Sequence, residues 1–240
     1  MAVYSSATHL VIGLGEVGTA LHSVLGGKYP VFTKDLGGES DISSAQILHI
    51  AFPYDRNFTY EVKRYIGKYA PGLVIVYSTV PIGTCNKIGE KIVHSPVEGR
   101  HPNLADSLLK FPRWLGCSDL ESLEIARGVW EPLNPKIRTL GASEHSEWLK
   151  LRSTAKYGVN IAWTDYEARI SEKLGMDFEE LQLFDTDYNE FYKDDPAIQR
   201  YILDPPNGEI GGHCIRENSI LLDRQHPHPM LKEIKKMRKK

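Results

Sequence analysis

The stretch His9-Leu10-Val11-Ile12-Gly13-Leu14-Gly15-Glu16-Val17-Gly18-Thr19-Ala20-Leu21-His22 decides the fold. A short apolar run ends at Ile12, glycines at 13, 15 and 18 make a tight turn, and a helix starts at once. Strand, glycine turn and helix in that order open a βαβ unit. The alternation continues outward. Val31-Phe32 reads as a second short strand, followed by Lys34-Asp35, and Ile47 to Phe52 as a third, stopped by Pro53. A helix is predicted over Tyr54–Tyr69. Leu73-Val74-Ile75-Val76-Tyr77 is apolar throughout, as a strand covered on both faces must be. Further short strands are predicted near Lys91–His94, Trp114–Cys117 and Lys136–Leu140. These signals predict an α/β fold with a Rossmann-type, mostly parallel sheet.

The texture changes after Gly141. Residues 143–174 contain no proline and one glycine, Gly158. Trp148, Leu151, Ala155, Val159, Ala162, Tyr166 and Ile170 recur at three- and four-residue steps, one stripe of a long helix. Ser143 is placed to cap its start and Gly175 its end. At ~1.5 Å per residue the rod is roughly 48 Å long, more than a small domain covers by itself. The expected organisation is a dinucleotide-binding domain over 1–142, then a smaller all-α domain over 143–240. The helix 143–174 serves there as a spine or as the interface of a homodimer.

Composition excludes several classes. The 240 residues are 41% hydrophobic and 25% charged, which is globular rather than disordered. A net charge of −2 gives no reason to bind nucleic acid. No apolar run approaches the ~20 residues of a membrane span, and the N-terminus lacks the charge pattern of a signal peptide. Three widely spaced cysteines argue against a disulfide framework and for a reducing, cytoplasmic location. No C-x-x-C pair offers a metal site.

The glycine turn carries the first chemistry. Gly13 permits the turn, Gly15 lets the backbone approach a pyrophosphate, and Gly18 lets helix and strand close up. Leu14, Glu16 and Val17 complete the loop, and the helix N-terminus faces phosphate charge. Asp35 lies 20 residues beyond Gly15, the reach to a ribose 2′-hydroxyl. Phe52, Pro53, Ser78 and Thr79, at the ends of later strands, complete the expected cofactor set. The acid favours NAD over NADP, because it repels a 2′-phosphate; Lys34 beside it works the other way. A glycine turn in an unliganded α/β fold is the bland alternative.

Ser78-Thr79-Val80-Pro81-Ile82-Gly83-Thr84 resembles the S-T-V-P-x-G-T segment of the UDP-glucose/GDP-mannose dehydrogenases. His94-Ser95-Pro96-Val97-Glu98 is similar to their S-P-E segment, with Val97 inserted before the acid. Glu147-Trp148-Leu149-Lys150-Leu151 and Val159-Asn160-Ile161-Ala162 resemble their central helix, and Glu172-Lys173-Leu174-Gly175 its end. Gly211-Gly212-His213-Cys214-Ile215 is similar to their G-G-x-C segment. The resemblance implies a 6-phosphogluconate-dehydrogenase-like fold. It also implies an NAD-dependent oxidoreductase acting on a CH–OH group of a sugar-nucleotide-like or hydroxy-acid substrate. It assigns Lys150 to stabilising negative charge on the substrate oxygen. Thr154 would hold a water, and Cys214 would be the nucleophile on an aldehyde intermediate. Thr79 would touch cofactor or water, and Glu98 would stand in for the family glutamate. Val97-Glu98-Gly99 also looks like the P-V-x-G turn of 3-hydroxyacid dehydrogenases, with Arg100 and His101 adding groups that hold an anion.

The departures are specific. Thr154 replaces the family asparagine, Arg216 a proline, and Asn218 the aspartate that would act as base. An amide takes no proton at neutral pH, so hydrolytic release would suffer. Arg216 is expected to add positive charge near the Cys214 sulfur. The family continues into a second Rossmann-like domain that holds much of the nucleotide sugar. A UDP-sugar substrate is therefore expected only if a dimer partner or another chain supplies that wall. The second reading, from another class, is a catalytically impaired dinucleotide-binding or scaffold module. Cys85 and Cys117 are read as core residues. Tyr188, Tyr192, Tyr201 and Pro205-Pro206 line a sugar-stacking surface or fold a loop over the helical domain, and the second is favoured. The basic run Lys232–Lys240 is expected to be a solvated, frayed tail.

Overall fold

The computed structural model describes residues 6–35, 38, 42–99, 102–210 and 213–239. Arg100, His101, Gly211 and Gly212 lie outside the described residues. The chain divides into two compact units, Met1–Lys150 and Leu151–Lys240.

The first unit runs β1 (His9–Ile12), α1 (Glu16–Gly26), β2 (Val31–Lys34), β3 (Ile47–Ile50), α2 (Phe58–Tyr69), β4 (Leu73–Val76), α3 (Thr84–Ile88) and β5 (Ile92–His94). Then come α4 (Leu104–Lys110), β6 (Arg113–Gly116), α5 (Leu120–Trp130), β7 (Ile137–Leu140) and the start of α6 (Ser143–Leu174). The strands form one sheet in the order β2-β1-β3-β4-β5-β6-β7. Every neighbouring pair is parallel except β5 with β6. β1, β3 and β4 are buried along their whole length; β4 is apolar throughout, while β1 and β3 each bury one histidine, His9 and His49. Leu21, Leu25, Val11, Ile75 and Trp130 pack on one face; Leu10, Leu48, Phe58, Val62 and Tyr69 pack on the other. Each such side chain removed from water contributes about 1.5–3 kcal/mol. The chain crosses from β1 to β2 on one side and builds β3 on the other. That reversal opens a crevice at the carboxyl ends of β1 and β3.

Two boundaries differ from those predicted. The third strand stops at Ile50, before Phe52-Pro53. The helix predicted from Tyr54 begins at Phe58, because Asp55 makes its own turn: its side chain accepts from the Asn57 N–H (2.9 Å) and its carbonyl from the Phe58 N–H (3.2 Å).

A polar chain runs through this core. Trp130 Nε1 donates to the Tyr77 hydroxyl (3.1 Å), which meets His49 Nδ1 (3.0 Å), and His49 Nε2 meets His9 Nδ1 (2.9 Å). Proton counting fixes its polarity. With Tyr77 donating to His49 and His49 to His9, the chain leaves one orphan, the buried His9 Nε2–H. The reverse direction strands both the Tyr77 proton and His9 Nε2. Both histidines are therefore neutral, and His9 stacks on Tyr29 with ring centroids 4.4 Å apart.

The second unit holds the rest of α6, then α7 (Phe178–Phe191), β8 (Glu209–Ile210), α8 (His213–Gln225), α9 (Pro229–Lys236) and β9 (Arg238–Lys239). Among the described residues its regular elements are helices apart from the short β8–β9 pair. α6 spans the predicted range. Gly175, at φ +66°, ends it with paired bonds from its own N–H to Glu172 O (3.1 Å) and from Met176 N–H to Ser171 O (2.9 Å). Ser143 does not cap it: Ser143 is the first helical residue and its hydroxyl donates to Asn86 Oδ1 (3.0 Å). Nor is the apolar stripe one buried face. Leu151 and Ala155 are buried, whereas Trp148 and Tyr166 are exposed. A Cβ on Gly158 would lie 2.9 Å from both Ile215 and Ile234, so this glycine lets α8 and α9 close on α6.

The tail is not frayed. His228 Nδ1 accepts from the Met230 N–H (3.3 Å), Pro229 takes the first turn, and Leu231, Ile234 and Met237 are buried. Lys235 Nζ pairs with Asp223 at 2.7 Å. The segment 193–208 folds back on α7, as favoured for the tyrosine-rich stretch. Asn189 exchanges bonds with Arg200, whose guanidinium sits 3.7 Å from the Tyr188 ring centroid.

Candidate active site

The glycine turn is built by sterics. Gly13 has φ +92°, and a Cβ there would sit 2.7 Å from the Phe52 nitrogen. A Cβ on Gly18 would overlap the Gly13 carbonyl oxygen. Gly15 is different: a Cβ there meets nothing within 4 Å, so its backbone faces open space. The N-cap residue of α1 is Gly15, which has no side chain to cap the helix. Thr19 Oγ donates to Leu14 O (3.0 Å), and Leu14 N–H donates to Asp35 Oδ1 (3.3 Å).

Beside this loop lies a cleft of about 290 Å³ lined by Ile12, Gly13, Asp35, Phe52, Pro53, Asp55, Glu61 and Tyr65. It sits at the crevice between β1 and β3 and gathers three carboxylates. Asp55, Glu61 and Tyr65 were not legible as site residues. Asp55 alone carried a signal, its place just past Pro53 at a strand's carboxyl end. Lys34 stands beside the acids, its ammonium donating to the backbone carbonyls of Gly38 and, at 3.5 Å, Asp35. Glu61 is paired with Arg64 at 2.7 Å. This cradle fits a dinucleotide: open backbone at Gly15 for a pyrophosphate, a helix N-terminus behind it, and Asp35 for a ribose hydroxyl.

A second group gathers at the ends of β4 and β5. Ser78 Oγ donates to Phe52 O (2.6 Å), tying this edge to the cleft, and Thr79 beside it is half-buried. His94 is fully buried. Its Nε2 donates to Ser78 O (3.2 Å), so Nδ1 accepts from Ser146 Oγ (2.8 Å). Burial holds this neutral imidazole down to about 4, with Lys150 and Arg113 adding to the effect and the Ser78 bond opposing it. Lys150 Nζ donates to Val97 O (2.7 Å), next to the half-buried Glu98. Lys150 and the Glu98 segment are thus brought together. His94, Ser146 and Arg113 were missed as site residues; a polar residue inside a strand or helix pattern gives no sign of what it meets.

In the second unit Cys214 is exposed in the first turn of α8. Asn218 Nδ2 donates to Thr154 Oγ (3.2 Å), and Thr154 Oγ donates to Leu151 O (3.1 Å). Two of the residues that depart from the family pattern, Thr154 and Asn218, are therefore each other's partners. Arg216 Nε is buried without a hydrogen-bond partner. Cys85 and Cys117 are buried, as expected of core residues, and burial pushes the Cys85 thiol up.

No protein-family model matches the chain. It is 28% identical over 152 residues to UDP-N-acetyl-D-mannosamine dehydrogenase of Methanocaldococcus jannaschii, a match covering 60% of this chain and 33% of that protein. The matched region is thus about a third of the curated relative's length. Among solved structures, UDP-D-ManNAc dehydrogenase from Pyrococcus horikoshii superposes with a TM-score of 0.76 at 17% identity, over 96% of this chain and 68% of that one. Mycobacterium tuberculosis 3-hydroxyisobutyrate dehydrogenase superposes with a TM-score of 0.70 at 17% identity, over 95% and 91%. These superpositions establish the shared fold. In sequence and in fold, the chain resembles the UDP-glucose/GDP-mannose dehydrogenase family.

Proposed function

We propose that the chain is an NAD-dependent oxidoreductase acting on a CH–OH group of a sugar-nucleotide-like or hydroxy-acid substrate. The observation that carries this reading is the glycine-built cradle opening on an acid-lined cleft at the sheet's reversal point. Bound NAD would supply the hydride acceptor. The loop Gly13–Gly18 and the start of α1 hold its pyrophosphate, and Asp35 accepts from its ribose. Asp35 and Asp55 repel a 2′-phosphate, while Glu61 is already paired with Arg64. Lys150, held at Val97 O, supplies positive charge to the oxygen that loses its proton. Cys214 acts as nucleophile only if oxidation proceeds to an acid. The amide of Asn218 moves no proton there, and its bond to Thr154 favours the second reading, a binding module without turnover. Residues 1–142 form the cofactor domain and 143–240 the substrate and dimerisation domain, in a cytoplasmic protein.

Calorimetric titration with NAD and NADP tests the reading, with an assay of NAD reduction over sugar nucleotides and hydroxy acids. Gly15→Val should cost no more than about 1 kcal/mol of stability, that of a poorer N-cap, since its Cβ meets nothing within 4 Å among the described residues, yet weaken NAD by about a hundredfold, roughly 2.7 kcal/mol. Lys150→Ala should lower kcat by about a hundredfold. Absence of NAD binding overturns both readings; tight binding without turnover leaves only the binding module.

The homodimer is proposed on the apolar side chains of the helical unit. Tyr157, Trp163 and Tyr166 on α6 and Leu183, Phe184 and Phe191 on α7 are exposed. No residue of α7 is buried, and apolar surface on this scale marks an interface. Light scattering should give twice 27.1 kDa, and Trp163→Glu should give the monomer mass. A wild-type monomer at micromolar concentration overturns this.

A further inference from the structure

Arg113, on β6, is 1% exposed. Its guanidinium lies over the ring of Trp130, 4.8 Å from the centroid, with Tyr77 at 5.9 Å. Burial pulls it down to about 10, and the charges of Tyr77 and Glu98 work against that fall. Taking a guanidinium out of water costs several kcal/mol, and an apolar side chain of similar volume would fill the space without that cost. The arginine's hydrogen bonds show what the charge does. Nη2 donates to Ser95 Oγ (2.6 Å), Ser95 O (3.3 Å) and Pro96 O (3.3 Å). All three acceptors belong to two consecutive residues. The next residue, Val97, gives its carbonyl to Lys150 Nζ, and the one after is Glu98. Nε finds no partner, so the side chain is committed to the 95–96 segment and to its stacking on Trp130.

We infer that Arg113 is a positioning residue: it pins Ser95 and Pro96, and through Val97 O it fixes where the Lys150 ammonium stands. Its consequence for turnover rests on the oxidoreductase reading; the positioning itself does not.

The test compares Arg113→Met, which keeps the volume and the packing on Trp130, with Arg113→Lys, which keeps a charged donor. Trace acylation of the intact chain with acetic anhydride, read by peptide mass spectrometry, reports Lys150 directly. Exposed Lys156 is the internal standard. Relative to Lys156, Lys150 should react about fivefold faster in Arg113→Met, with Arg113→Lys between that variant and wild type. In turnover, kcat should fall about tenfold in Arg113→Met while the KM for NAD stays within about twofold. Lys150 reactivity within about twofold of wild type in a folded Arg113→Met protein overturns the inference. Should Arg113→Met not fold, Arg113→Lys decides it; if neither folds, Arg113 is a core residue and the inference falls. A wild type without turnover overturns the oxidoreductase reading and leaves the acylation result to decide this one.

Discussion

Glu147→Ala is expected to destabilise the sheet unit by about 3–5 kcal/mol. Glu147 lies on α6, is completely buried, and caps a different helix. Its Oε2 accepts from the Gly83 N–H (2.5 Å) and its Oε1 from the Cys85 N–H (2.8 Å). α3 is only five residues long and has no side-chain cap of its own, so this carboxylate satisfies two of its orphan donors. A hydrogen bond to a buried charge contributes about 1.5–3 kcal/mol. Burial of the carboxylate opposes that gain and raises its pKa, which keeps the expected loss below the sum of the two largest values. Glu147→Gln should cost less, about 1.5–3 kcal/mol, because an amide accepts through one atom and turns a donor toward the other N–H. Urea denaturation followed by far-UV circular dichroism measures both variants. A loss below about 1 kcal/mol for the alanine would show that water satisfies the two donors instead.

Much of the sheet was legible because its strands are covered on both faces. A parallel strand buried on both faces is mostly apolar, and Leu73–Val76 is apolar at every position, so it needs no help from periodicity. The turn at Gly13–Gly18 was legible for a related reason: each of Gly13 and Gly18 answers a local clash. Other elements depend on partners far away in sequence. Along α6 the three- and four-residue steps marked a helix but not which side chains it buries, since Trp148 and Leu151 belong to the same stripe. The basic tail misled by charge alone. Leu231, Ile234 and Met237 recur every third residue behind His228-Pro229, and that spacing was the overlooked sign of a packed helix.

At the candidate site, residues whose roles come from backbone shape were the readable ones. Gly15, Asp35 and the strand-end segments follow from where a βαβ unit places them. Residues that work through pairs were not. The Thr154–Asn218 bond joins positions 64 apart. His94 joins β5 to α6 through Ser146, 52 residues on. Arg113 stands just before the strand predicted near Trp114–Cys117, and only the packed sheet shows it holding Ser95 and Pro96. Asn218 by itself reads as the loss of a base; the structure shows it bonded to Thr154, another departure from the pattern.

Acid should unfold the sheet unit well above the range where carboxylates titrate. His9, His49 and His94 are buried and neutral, each lowered chiefly by burial, His9 and His94 to about 4 and His49 well below its ordinary value. The unfolded chain binds protons on these rings near 6.5, so from there downward it holds more protons than the folded chain. Stability is therefore complete above about 6.5 and is lost as pH falls toward the folded values. At pH 5 the loss is about 2 kcal/mol for each of His9 and His94, and it approaches about 3 kcal/mol each near pH 4. His49 adds to it. Charging both rings would set His9 Nδ1–H against His49 Nε2–H, so the two cannot both charge. Glu147 acts in the opposite sense, because its raised pKa favours the folded state on protonation. Urea midpoints measured from pH 7.5 to 5 should fall by the equivalent of about 4 kcal/mol or more. His9→Phe, which keeps the stacking on Tyr29, should flatten that dependence by roughly the share of one histidine while costing some stability at neutral pH. Stability constant within about 1 kcal/mol between pH 7 and 5 would mean that these imidazoles reach water in the folded protein, contrary to their burial.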